Sequence, residues 1–329
     1  MTTKLFLSLF SFFIIVGTAY SSANLVGPSA CIECHKQEGA AWQTSHHFTS
    51  YNAFHRKKEV KGITKKLGIR RVKSESLCLT CHYTVTVKQG KKKKKLKPVA
   101  GISCESCHGP AKKWMPIHNN YGGKKVTKAQ ETPAHKKSRM AKSLKAGMIH
   151  PKDIYSVASN CFSCHSVPHP KLVEVGGHKA GSDFELVSWS QGEVRHSYLN
   201  SSDKKNRMAN AARKRVMFVA GRILDVEYGI RGLAKAKGKG AYLKAMVARV
   251  NNGIKNLQAV AKASGVAEIS SIISIAKAVK KSAGAGKAQK AAAKKISGLA
   301  KKALANSSIE SKSALDALIP TKLKGSARP

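Results

Sequence analysis

The residues with chemistry to offer are eight cysteines, and they fall in four pairs, each followed at once by a histidine. The sites are CIECH (Cys31, Cys34, His35), CLTCH (Cys78, Cys81, His82), CESCH (Cys104, Cys107, His108) and CFSCH (Cys161, Cys164, His165). No cysteine is left over. Two thiols three positions apart add across the two vinyl groups of one haem, and the next imidazole then becomes the proximal ligand of its iron. Disulfides would use the even cysteine count but leave four histidines unexplained. Zinc ribbons do not ask for a histidine after every pair, and a thioredoxin-like site wants a single pair near a βαβ unit. The motifs therefore predict four covalently attached haem c groups.

Haem iron takes up to six ligands, and the protein decides whether to supply the last. The nine other histidines are His46, His47, His55, His118, His135, His150, His169, His178 and His196, more than four irons require. Methionine is the alternative, with Met115, Met140, Met148 and Met208 in or beside the same stretch. Abundance favours histidine. His135, His150 and His169, next to Pro or Lys, read as loop residues. Nothing in the pattern marks a catalytic residue.

These residues must be held by short elements. Residues 24–202 contain every cysteine and histidine and are rich in turn signals: Gly-Pro at 27–28 and 109–110, Gly-Gly at 122–123 and 176–177. Short helices are expected to carry each motif. The gap between the second and third motifs is the shortest, so those two sites are expected to be neighbours. From about Asp203 the composition shifts to Ala, Lys, Leu, Ile and Val. Three stretches follow the helical period: Val216 to Leu233, Leu243 to Val260 and Val266 to Val279. Breaks fall at KGKGA near 237–241, at Ser264-Gly265 and at SAGAG, 282–286. The reading is a mainly α protein: a multihaem core with haems packed between short helices and loops, then a helical bundle or hairpin over 203–281. A basic Lys/Ala-rich tail, helical or partly disordered, occupies 282–329.

Residues 1–23 read as a signal peptide, with Lys4 ahead of an apolar run and Ser21, Ser22 and Ala23 before the cut. No later stretch reaches the ~20 apolar residues of a membrane span. The location expected is therefore periplasmic or otherwise extracytoplasmic. The net charge is +43, with KKKKKLK at 91–97 its densest run. A secreted haem protein has no call for nucleic acid. The charge reads either as a solvated face or as a field that steers acidic redox partners.

The stretch from Cys31 to Asn200 resembles tetrahaem cytochromes c of the c-554 type, which accept electrons from hydroxylamine oxidation. The residues that carry the likeness are CIECH followed by WQTSHH (Trp42 to His47), GISCESCHGP at 101–110 and the final CFSCH. The segment from Asn160 to His196 is closer to a broader set of relatives with a helical C-terminal extension. The resemblance implies a mainly α-helical fold, haems in stacked pairs, bis-histidine ligation for most irons and room for one five-coordinate iron. It also implies a distal ligand five residues after a Trp, which here is His47, with His46 the adjacent alternative. His118, His178 and His196 complete the distal candidates, pairing unassigned, with His55 next in line. Two functions stand: an electron carrier between redox proteins, or an enzyme acting on a small nitrogen or sulfur compound at an open iron.

Overall fold

Apolar side chains recurring every third or fourth residue drive the second half of the chain into long helices that bury one another. The computed structural model describes residues 24–74, 76–88, 95–198 and 205–328. The signal segment 1–23, Lys91 to Lys94 of the lysine run and the boundary near 203 lie outside the described residues. The chain is mainly α-helical.

The first half holds short helices: α1 (Pro28–Ile32), α2 (Lys36–Gln43), α3 (His46–Ala53), α4 (Lys58–Leu67), α5 (Ser76–His82), α6 (Cys104–His108), α7 (Met115–His118), α8 (Pro133–Lys145), α9 (Ile154–His165), α10 (Pro170–Glu174) and α11 (Leu186–Gln191). Between α5 and α6 the chain forms an antiparallel pair, β1 (Thr84–Lys88) and β2 (Lys95–Ala100). The β-branched alternation of TVTV suits a strand. His135 lies on α8, not in a loop: Thr132 caps that helix by accepting from the His135 amide, and Pro133 opens it.

The second half is a bundle of α12 (Ala211–Leu233), α13 (Ala241–Ser264), α14 (Ala267–Ala278) and α15 (Gly286–Ala305), closed by the short α16 (Ser308–Ser311). Asn210 caps α12 by accepting from the Arg213 amide, and Gly265, in the left-handed region at φ 66°, ends α13. The breaks expected from sequence fall between these helices. The fourth helix is the Lys/Ala segment, whose Ala293, Ile296, Ala300 and Ala303 are fully buried while its lysines face outward.

One apolar core runs through both halves. Ile154, Ala158 and Phe162 of α9 and Leu186 and Val187 of α11 join Val219, Ile223, Leu224, Leu257, Ile269 and Ile296 in a single cluster. Polar ties cross the same seam. The Tyr155 hydroxyl donates to Glu227 at 2.8 Å and accepts from the Ser297 hydroxyl at 2.7 Å, and Arg231 pairs with Glu227 at 2.7 Å. Burial pushes the Glu227 carboxyl up, against the pull of Arg231. Glu174, at the end of α10, accepts from the Ala241 and Tyr242 amides and so caps α13 from the other half. Among the described residues no helix is long and apolar enough to cross a membrane.

Leu257 is fully buried at the centre of the bundle. Leu257→Ala should lower stability by about 2–5 kcal/mol. Thermal unfolding of the two proteins side by side measures it.

Candidate functional site

In a helix, positions i, i+3 and i+4 share one face, so a helical C-x-x-C-H turn presents both thiols and the imidazole together. Three motifs take that form. CLTCH closes α5, CESCH is the whole of α6 and CFSCH closes α9. In the first motif Cys31 ends within α1, and His35 stands at the start of α2.

None of the eight thiols is in a disulfide, and several neighbour one another across motifs. Cys31 and Cys104 share a hydrogen bond, which with burial pushes the Cys31 thiol far up; Cys81 and Cys164 form a second such pair. Cys164 is held down at about 7, first by Cys81. Cys107 is pushed up to about 11 by burial and feels the charge of Cys164. The first site therefore abuts the third, the third the fourth, and the fourth the second. The short second gap is taken up by the antiparallel β1–β2 pair, which brings the end of the second motif back beside the start of the third. The Thr84 hydroxyl donates to the Gly101 carbonyl at 2.7 Å and lies 2.8 Å from the Ser103 hydroxyl, while the Cys81 thiol itself meets Cys164 of the fourth.

The histidines meet in pairs. The His35 and His118 rings lie 6.4 Å apart between centroids, nearly parallel at 21°. His47 faces His165 at 6.3 Å and 56°, and His196 faces His108 at 6.2 Å and 86°. Each pair joins one motif histidine to one from a remote segment. Two imidazoles sharing a metal atom, with each nitrogen about 2 Å from it, have centroids about 6 Å apart. The residues present therefore fit a haem iron held from both sides. His82 is different: its stacked neighbour is Phe54, at 3.8 Å and 17°, and His178 is the nearby charge it feels most.

Hydrogen bonding orients these rings. Nδ1 of His118 lies 2.6 Å from the Met115 carbonyl, that of His178 2.7 Å from Lys179 O, and that of His196 2.7 Å from Val194 O. His108 Nδ1 reaches the Ile149 carbonyl and His165 Nδ1 the Ser182 hydroxyl. A proton fixed on Nδ1 leaves Nε2 as the free lone pair, the form a metal takes. Burial holds His82, His108 and His165 down at about 4, each also opposed by neighbouring imidazoles. The other histidines are engaged differently. His46 and His135 pair with Glu193 and Glu131, and His150 Nδ1 accepts from the Lys152 amide. His55 stands beside Phe54, its Nδ1 buried without a partner.

Close backbone contacts set these segments. Gly101 runs against α3 so tightly that a Cβ there would strike the His47 carbonyl, and the Trp42 indole donates to Ile102 O at 2.7 Å. The family described as Cytochrome c554 and c-prime matches residues 30–109. A relative named cytochrome c-554, from Nitrosomonas europaea, is 27% identical over 117 residues. Over about a third of its length the chain resembles the cytochrome c-554 family. That alignment covers 34% of this chain and 50% of the relative, so the chain spans about half of the relative's length. No solved structure matches. The c-554 likeness covers the first three motifs; CFSCH, His118, His178 and His196 lie beyond the family match.

Acidic residues are the part of the site that sequence reasoning passed over. Glu105, inside CESCH and 1% exposed, accepts from the Val26, Gly27 and Ala111 amides and so ties the segment before the first motif to the third. Glu131 binds Arg139 at 2.6 Å through both oxygens, and Arg139 donates to the His118 carbonyl. The available signal was scarcity: 17 acids stand against 60 Lys and Arg, so an acid inside or beside a motif is conspicuous.

Arg139 first, then His135, holds the Glu131 carboxyl at about 2. A carboxylate depressed on folding adds stability that is present above the ordinary 4.5 and lost as pH falls toward 2. Glu131→Gln should therefore melt below wild type at pH 7, with the gap closing between pH 4.5 and 2. Thermal melts across that range check it.

Proposed function

We propose that this chain is a tetrahaem c-type cytochrome of an extracytoplasmic compartment that passes electrons between redox proteins. The observation that carries the reading is the three opposed imidazole pairs. In them His35 with His118, His108 with His196 and His165 with His47 would hold the first, third and fourth irons. His178, whose charge His82 feels most, would be the partner of His82 at the second. Haem c, when bound, supplies one-electron chemistry over potentials set by ligand, burial and nearby charge.

The chain's own residues do the rest. The thiols anchor four groups whose attachment sites run in the order first, third, fourth, second. The carbonyls of Met115, Lys179 and Val194 keep the remote imidazoles in one tautomer and orientation. The excess of lysine and arginine gives a positive field that favours encounter with acidic partners, and such an encounter slows as salt rises.

A second reading attaches to the second site alone. Phe54 stacks on His82, and His178 sits on a loop with Gly177 at φ 73° and Gly181 at φ 97°. A ligand carried on such a loop is the one most easily displaced, which would open that iron to a small nitrogen or sulfur compound.

Intact mass of the holoprotein should show four haem increments; fewer would contradict the count. In electron paramagnetic resonance of the oxidised protein, His118→Ala, His47→Ala and His196→Ala should each turn one low-spin haem high-spin with attachment intact. A high-spin haem in the wild type would favour the second reading.

A further inference from the structure

Glu193 lies in the turn after α11 and is 9% exposed. One carboxylate oxygen accepts from the His46 amide at 2.5 Å, and the other meets His46 Nδ1 at 2.8 Å. His46 opens α3, and His47 follows it. The first amides of a helix have no partner within it, so a carboxylate there both satisfies a donor and opposes the helix dipole. Three residues after Glu193 comes His196, in the tight turn closed by Val194 N to Trp189 O and Arg195 N to Gly192 O. One side chain thus links the segments of two remote imidazoles, His47 and His196, which face different motifs.

The turn is held from behind by the end of the chain. Glu193 N donates to Lys324 O at 2.9 Å, and Lys324 N donates to Ser188 O at 3.0 Å. The two backbones run so close that a Cβ on Gly192 would strike the Lys324 carbonyl. Asn206 completes the brace. Its carbonyl accepts from Ser197 N, and its amide nitrogen donates to Arg195 O and to Arg328 O. Residues 324–328 therefore lie against the His196 turn as a strap.

We infer that Glu193 is a positioning residue for two axial ligands at once, His47 and His196, and that the C-terminal strap around Lys324 braces it. The inference rests on the reading of those histidines as ligands. Glu193 touches no iron; it acts through α3 on one side and through its own turn on the other. The helical extension then has a task in the haem half: it delivers the strap.

The test uses oxidised holoprotein and reads haem count, far-ultraviolet circular dichroism and electron paramagnetic resonance. The low-spin signals are assigned by their loss in His47→Ala, His196→Ala and His118→Ala. Glu193→Ala should keep four haems and helical content. The His47 and His196 signals should shift, with a roughly tenfold rise in the high-spin fraction at those two irons, the scale set by losing a charge-assisted hydrogen bond. The His118 signal should stay in place. Glu193→Gln keeps an oxygen for the His46 amide and should restore most of the wild-type spectrum. A chain ending at Leu323 should shift the His196 signal. The proposal is overturned if Glu193→Ala, folded and fully loaded, leaves all low-spin signals unmoved. It is also overturned if the His118 signal moves as far as the other two. Should Glu193→Ala fail to fold, the shortened chain decides: an unmoved His196 signal overturns the proposal. If His47→Ala and His196→Ala leave the spin state unchanged, the ligand reading falls and takes this inference with it. If they change it while Glu193→Ala does not, the positioning role alone falls.

Discussion

To hold haem irons as proposed, two imidazole rings from distant parts of the chain must stand about 6 Å apart, with the right nitrogens inward, at several places at once. That demand accounts for much of the first half. Its helices are too short to be stable by themselves, and many of its turns depend on side-chain caps. The motif histidines sit at helix ends, where five-residue turns suffice. Their opposites ride on separate pieces: His118 at the end of α7, His47 near the start of α3, His196 in a turn after α11. Each piece is held by groups outside it: Arg139 for the His118 carbonyl, Glu193 for α3, the strap for the His196 turn.

The helical bundle supplies what these pieces lack, a continuous apolar core. α9 carries the fourth motif at one end and packs Ile154, Ala158 and Phe162 into that core. Glu174 and the Tyr155–Glu227 bond fasten the two halves further. In a chain this basic, several of the scarce carboxylates, Glu105, Glu193 and Glu227 among them, are buried at inward tasks, and the lysines are left for the surface. A positive exterior is then partly a consequence of how acids are used within.

Much of this was legible in the residues. The four motifs need only local spacing, and the long helices announce themselves by period and by the breaks at 237–241, 264–265 and 282–286. What sequence could not reach is what depends on distance in space. His47, His118, His178 and His196 could be named but not paired, because their opposite rings come from remote segments. The second and third motifs, close in sequence, are brought side by side by the strands that turn the chain back between them, but which thiols meet across motifs is set by remote segments. His135, next to Lys136, reads as a loop residue, but Pro133 two residues earlier sits in a first turn, where a proline starts a helix. The Lys/Ala segment 286–305 was left undecided because alanine makes a faint apolar stripe, and only packing against α12 and α14 reveals it. Glu193 gave no local sign, since its partners lie at 46 and 324.

The central claim is that histidine holds these irons from both sides. Near-infrared magnetic circular dichroism of the oxidised holoprotein tests it most directly, since the charge-transfer band of a low-spin ferric haem reports the pair of atoms on its axis. Bands of the bis-histidine type from the low-spin haems, three or four of them, are the predicted result. Bands of the histidine–methionine type, or a protein whose haems are mostly high-spin, would contradict the account.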